Sequence, residues 1–167
     1  MKVSFEFTKN DVWNYGKHMT FSLPKFRRRM IINILMVPLL VCAIGYTMKF
    51  TIASYLTYGI GLTAFYVYVL FSVLKGKVIK ANSAKDGPIG KHTIELTLDG
   101  IKETLPEREE KHFWNDIEKV EQDKKYIYIQ WSSLAAHVIP KSAFSKESDE
   151  TFFYTTAMNH FEKAKNK

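Results

Sequence analysis

MIINILMVPLLVCAIGYTM (residues 30–48) and TIASYLTYGIGLTAFYVYVLFSVL (residues 51–74) contain no Asp, Glu, Lys or Arg. At ~1.5 Å rise per residue they make helices of roughly 28 and 36 Å, against a bilayer hydrocarbon core of ~30 Å. Buried helices of soluble proteins normally carry polar residues every third or fourth position, and uncharged apolar runs this long read as membrane spans. Only Lys49 and Phe50 separate the two runs. So short a connection is a tight turn, which predicts an antiparallel transmembrane hairpin over residues 30–74 with both chain ends on one side.

Charge outside the hairpin predicts which side. The chain carries 24 Lys+Arg and 17 Asp+Glu in 167 residues, a formal charge of +7. The excess is confined to residues 1–80, which sum to +9, while residues 81–167 sum to −2. Lys25, Arg27, Arg28 and Arg29 precede the first span, and Lys75, Lys77 and Lys80 follow the second; the turn holds Lys49 alone. Cytoplasmic flanks collect Lys and Arg, so these seven residues are expected to orient the hairpin in the cell membrane with both termini cytoplasmic. The slightly acidic remainder has no electrostatic footprint for nucleic acid.

Within the spans, Pro38 is expected to bend the first helix. Thr57, Gly59 and Gly61 are expected to permit close helix approach in the second. Tyr46 and Tyr55 suit an aromatic belt at the outer turn, and Tyr58, Tyr66 and Tyr68 suit packing against a partner helix. Neither span holds an ionisable group of an ion or proton pathway. Cys42 is the only cysteine, which excludes an intrachain disulfide. The first apolar run is too long for a secretory signal, and the second follows it directly.

After Lys80 the period changes. Residues 75–90 read as a linker, with Asn82, Ser83, Gly87 and Pro88 as turn residues. From His92 the sequence alternates (HTIELTL), with Ile94, Leu96 and Leu98 on one face, and Asp99-Gly100 predicts a tight hairpin turn with positive φ. Further short strands are expected at 101–105, 111–114, 117–122, 126–131 and 136–139. A helix is expected to begin at Ser148-Asp149-Glu150, with Phe152, Phe153, Met158 and Phe161 on its apolar face. At the other end, VSFEF (residues 3–7) alternates like a strand and residues 9–19 suit a short amphipathic helix. The roughly 87 residues after Lys80 are few for independent stability, so the N-terminal strand is expected to join their sheet. The predicted architecture is an α+β membrane protein. It has an N-terminal strand and amphipathic segment (1–29), the hairpin (30–74), the linker (75–90), and a bent antiparallel sheet with a C-terminal helix (91–167).

Phe113-Trp114-Asn115-Asp116-Ile117-x-x-Val120 resembles the W-x-D-I-x-x-V core of bacterial PH-like domains. Val138-Ile139-Pro140-Lys141-Ser142-Ala143-Phe144 resembles the I-I-P-K-x-A-F signature of the YcxB-like family. The resemblance implies an N-terminal strand and helix, two membrane spans and a C-terminal PH-like domain, and it implies no particular chemistry. The motif residues read as packing: Phe113 and Trp114 fill a small core, Ile117, Val120 and Ile139 add to it, Pro140 ends the last strand, and Phe144 anchors the helix entry.

Catalytic groups are not indicated. His18, His92, His112, His137 and His160 show neither i, i+4 pairing nor an adjacent cysteine, so no metal site, cofactor or triad is expected. Glu107, Glu109 and Glu110 read as a solvated tip, and no glycine-rich phosphate loop occurs. The expectation is a non-enzymatic, membrane-anchored interaction module without a small-molecule substrate, its protein partner unspecified. The alternatives are a lipid-headgroup reader using Lys124 and Lys125, or an immunity or regulatory protein acting through its spans.

Overall fold

The computed structural model describes residues 1–83, 87–105, 107–133 and 135–166; parts of the expected linker and acidic loop, Ala84–Asp86 and Pro106, lie outside them. The fold is α+β. Among the described residues, seven strands form two antiparallel sheets: β1 (Lys2–Phe7), β2 (Gly90–Leu96), β3 (Gly100–Thr104) and β4 (Glu109–Phe113) lie in that order, and β5 (Lys119–Gln122), β6 (Tyr126–Ser132) and β7 (Ala135–Pro140) make the second sheet. The helices are α1 (Lys9–Ser22), α2 (Pro24–Met48), α3 (Ile52–Ala81) and α4 (Glu147–Lys165). Two compact units result, one of residues 1–12 and 82–167, the other of residues 13–81.

In the helical unit, α2 and α3 pack as a hairpin. Many of their large apolar side chains are exposed, Leu39, Ile52 and Ile60 among them; Val41 and Gly45 are the buried residues of α2, and α3 has none. Core helices of a soluble protein would bury such surface, so length, composition and exposure together point to a membrane protein. The turn follows helix-termination chemistry. Lys49 takes the left-handed conformation at φ 53°, and the Phe50 N–H reaches back to the Gly45 carbonyl at 2.9 Å. The Thr51 hydroxyl accepts the Ser54 N–H and starts α3.

Both helices extend beyond the apolar runs. α2 begins at Pro24, a residue suited to a first helical position, so Lys25, Arg27, Arg28 and Arg29 are already helical. α3 continues to Ala81, which makes residues 75–81, with Lys75, Lys77 and Lys80, helix rather than linker. Lys and Arg are good helix formers and do not end a helix by being charged. Close approach also falls elsewhere than expected. A side chain at Gly59 or Gly61 would meet nothing within 4 Å, whereas one at Gly45 would collide with the Phe50 and Tyr55 rings. Tyr58 packs on Phe50, with ring centroids 5.4 Å apart. α2 runs on through Pro38 without interruption.

In the β unit, β1 pairs with β2 from Lys2↔Glu95 to Phe7↔Gly90. The helical hairpin is therefore an insertion between two neighbouring strands. Inward residues of both sheets, including Ile94, Ile101, Ile117, Ile127, Ile129 and Ile139, form one core that α4 covers with Phe153 and Ala157. Phe144 packs on Phe153 at 5.3 Å. α4 starts one residue before the expected Ser148 and has no side-chain cap; Glu147, Asp149 and Glu150 instead favour its N-terminus by charge. Thr8 and Asp11 cap the start of α1 reciprocally, and Asp11 also accepts the Tyr126 hydroxyl at 2.6 Å. Partial burial opposes ionisation of Asp11, but the hydrogen bonds from Thr8 and Tyr126 hold its carboxyl below the ordinary value.

The β2–β3 turn corrects the expectation for Asp99-Gly100. Gly90 is the glycine with positive φ among the described residues, and Gly100 is already in strand β3. The Thr97 hydroxyl accepts the Gly100 N–H at 3.1 Å, so a side chain closes the turn in place of positive-φ backbone. Leu98 consequently sits in the turn and is 86% exposed instead of facing the core. Gly100 is required for another reason: a Cβ there would collide with the carbonyl group of His112 on β4. Gly100→Ala is expected to cost about 1–3 kcal/mol, because backbone cannot yield as a flexible side chain does; urea unfolding of the detergent-solubilised protein measures it.

Candidate functional site

Strand alternation places polar groups inside the β unit. His92 lies two residues before Ile94 on the inward face of β2, and Glu103 lies two after Ile101 on β3. His137 faces inward from β7. All three are less than a tenth exposed. The Glu103 carboxylate accepts from both histidines: Oε1 lies 2.6 Å from His92 Nδ1, and Oε2 bonds His137 Nδ1. His92 Nε2 lies 2.6 Å from the Pro88 carbonyl oxygen, and His137 Nε2 lies 3.0 Å from His112 Nδ1 on β4. A bulge at Trp131 in β6 turns its indole onto His112, with centroids 4.1 Å apart. The chain of contacts thus ties the corner of one sheet to the other.

Both His92 ring nitrogens face oxygens, the Glu103 carboxylate on one side and the Pro88 carbonyl on the other. Burial alone would push the Glu103 carboxyl up, but the hydrogen bonds and charge of His137 and His92 outweigh it and bring the value down to about 2. His112 moves the other way: burial and the neighbouring His137 lower its pKa, so this imidazole is neutral at pH 7. Every buried side-chain polar atom described has a hydrogen-bond partner, and no group of ligands suited to a metal ion occurs among the described residues. A sealed, internally satisfied network of this kind braces a fold.

One open feature of the unit is a groove of about 590 Å³ between the β2–β3 turn, the 3₁₀ turn Trp114–Asp116 and the last turns of α4. Leu98, Phe113, Trp114 and Ala164 supply an apolar lining, with Asp99, His160 and Lys163 at its polar margin. The Trp114 indole N–H donates to the Thr97 carbonyl at 3.0 Å, and its ring stacks on His160 at 5.3 Å. Phe113 does not fill the core as expected. It is the last residue of β4, faces outward and is 51% exposed under the Lys111 ammonium.

Of the other motif residues, Trp114, Ile117, Val120 and Ile139 meet in the core, with Phe144 packed against it. Pro140 is buried at the end of β7, Lys141 pairs with Glu150 at 2.8 Å, and Asp116 is exposed. Lys124 and Lys125 are exposed at the β5–β6 turn beside Asp123, whose carboxylate accepts the Lys125 N–H. Glu109 and Glu110 are strand residues paired with Lys102 and Arg108. In the helical unit Lys25, Arg28 and Arg29 line a cavity together; Arg27, Lys75, Lys77 and Lys80 lie outside its lining. The His92–Glu103–His137–His112 network escaped the sequence reading, because its members are far apart in the chain and only strand parity places them on one face.

A helical hairpin inserted between the first two strands of a two-sheet β unit, with a C-terminal helix covering the core, defines an α+β membrane protein. Residues 96–155 match the family described as YcxB-like protein, so the chain carries a YcxB-like domain running from the end of β2 into α4. No curated protein and no solved structure matches the chain.

Proposed function

We propose that this protein is a non-enzymatic, membrane-anchored interaction module, whose PH-like β unit lies in the cytoplasm and binds a segment of a protein partner in the groove beside α4. The observation that carries the reading is the groove itself. It combines a half-exposed Phe113 and an exposed Leu98 with the fixed face of Trp114, the aromatic and apolar composition of a recognition hot spot. The polar residues best suited to chemistry are instead sealed in the core, which favours binding over catalysis. Pairing of β1 with β2 supports a hairpin with both ends on one side of the membrane, and the seven flanking cations favour the cytoplasm. A headgroup role for Lys124 and Lys125 is less well supported, because the Asp123 carboxylate shares their turn.

A photo-crosslinking phenylalanine analogue at position 98 of the full-length protein in its native membrane is expected to give a discrete protein adduct. The same probe at Lys119, an exposed residue of β5, is expected to give none. Phe113→Ser should reduce the adduct from position 98 by about tenfold or more without changing the melting temperature, as loss of an interface anchor costs ~2 kcal/mol. Adducts with lipid alone, or equal yields from both positions, would exclude the groove as the binding site.

A further inference from the structure

The first turns of α2 combine charge and shape in a way that orienting a span does not require. No Asp or Glu occurs between Asp11 and Asp86, so the helical unit, residues 13–81, contains no carboxylate to neutralise its cations. Pro24, Arg28 and Ile32 form one i, i+4 row on α2, and Lys25, Arg29 and Asn33 form the adjacent row. Together these six exposed residues line a cavity of about 420 Å³. Arg27 is excluded from it by the helical period. Three cations thus converge on one concave surface, which then passes through an amide at Asn33 to the aliphatic side chain of Ile32.

That order matches an acidic phospholipid read along its own length. From Lys25 to Asn33 the helix rises about 12 Å, enough to cross the headgroup layer into the edge of the hydrocarbon. Guanidinium groups bind phosphate oxygens through paired N–H donors, and Arg28 and Arg29 present two such forks with the Lys25 ammonium beside them. We infer that this face of α2 is a binding site for one acidic glycerophospholipid. Lys25, Arg28 and Arg29 hold its phosphodiester, Asn33 donates to the glycerol ester region, and an acyl chain lies along Ile32. The site is independent of the groove in the β unit and rests on the membrane reading of the hairpin.

The test uses the full-length protein in nanodiscs of mixed phosphatidylcholine and phosphatidylglycerol, with native mass spectrometry of the lipid retained on release. Monodisperse incorporation into phosphatidylcholine discs tests the membrane reading separately. Phosphatidylglycerol is expected to be retained in preference to phosphatidylcholine. The double variant R28Q/R29Q should lower its retention about tenfold or more, whereas R27Q should change it less than about twofold. Glutamine keeps helix propensity at these exposed positions, so the helix survives the substitutions. Added inorganic phosphate should not displace the lipid. Equal retention of both lipids, an R27Q effect as large as that of R28Q/R29Q, or displacement by inorganic phosphate would each overturn the assignment.

Discussion

Glu103→Ala should destabilise the β unit by about 3–5 kcal/mol, the range found when one partner of a buried ionic group is removed and the other is left behind. The variant leaves two imidazoles, His92 and His137, without their shared acceptor at sites almost closed to water. Glu103→Gln should recover only part of the loss. Its amide can accept from one histidine and donate to the other, but the charge opposite His92 is gone. Acid dependence separates the network from simple packing. The Glu103 carboxyl titrates at about 2 in the fold against an ordinary 4.5. The native state therefore gains stability from the ionised form above about pH 4.5, and that gain disappears as pH falls toward 2. Chemical denaturation of the wild-type protein across this range should show the loss, and the Ala and Gln variants should show a flatter profile. A variant that loses stability by a pH-independent amount would indicate that Glu103 contributes only volume.

Trp114→Ala should cost a comparable ~3–5 kcal/mol, the usual range for deleting a buried aromatic side chain. Trp114 is 3% exposed and holds together three pieces: the β2–β3 turn through Thr97, the core through its contacts with neighbouring isoleucines, and α4 through His160. Trp114→Phe retains most of the area but leaves the Thr97 carbonyl without its donor, so a loss of about 1–3 kcal/mol is expected. Far-UV and near-UV circular dichroism during urea unfolding measures both. The order Ala below Phe below wild type is the expected result, and a Phe variant as unstable as Ala would place the whole effect in the hydrogen bond. Because Trp114 also lines the groove, binding experiments are better served by Phe113, whose exposed ring can be removed without disturbing the core.

The hairpin was the most legible part of the chain, since the solvation of an uncharged run depends on composition and hardly on tertiary context. The strand around Ile94 is legible for a related reason, since its buried residues alternate with partly open ones, whereas β6 buries four consecutive residues, Tyr126–Ile129, and is marked by its β-branched and aromatic composition instead. Element ends were harder to read. Cations suggested that the spans stop at Met30 and Leu74, yet Pro24 and the helix-forming lysines extend both helices. The Asp99-Gly100 pair suggested a glycine turn, but the Thr97 hydroxyl closes it, and the glycine is there to admit the His112 carbonyl. The splitting of the strands into sheets of four and three depends on long-range packing that local periodicity does not encode. For the candidate groove, Trp114 is recognisable as a buried anchor, while two adjacent aromatics do not reveal which one turns inward: Phe113 ends β4 on its exposed face, and Trp114 opens the 3₁₀ turn and is buried. The histidine network required the parity of four separate strands to be read at once.

The insertion of the hairpin between β1 and β2 also bears on how the chain reaches its native state. Residues 8–89 separate Phe7 from its ladder partner Gly90, so in solution that strand pair would have to close a long loop before any contact rewarded it. Under the proposed membrane topology, inserting α2 and α3 returns the chain to the side from which it entered, and what then remains to close is short. On that reading lipid acts as a folding template for the β unit, and refolding from denaturant is expected to be markedly faster in the presence of vesicles than in their absence.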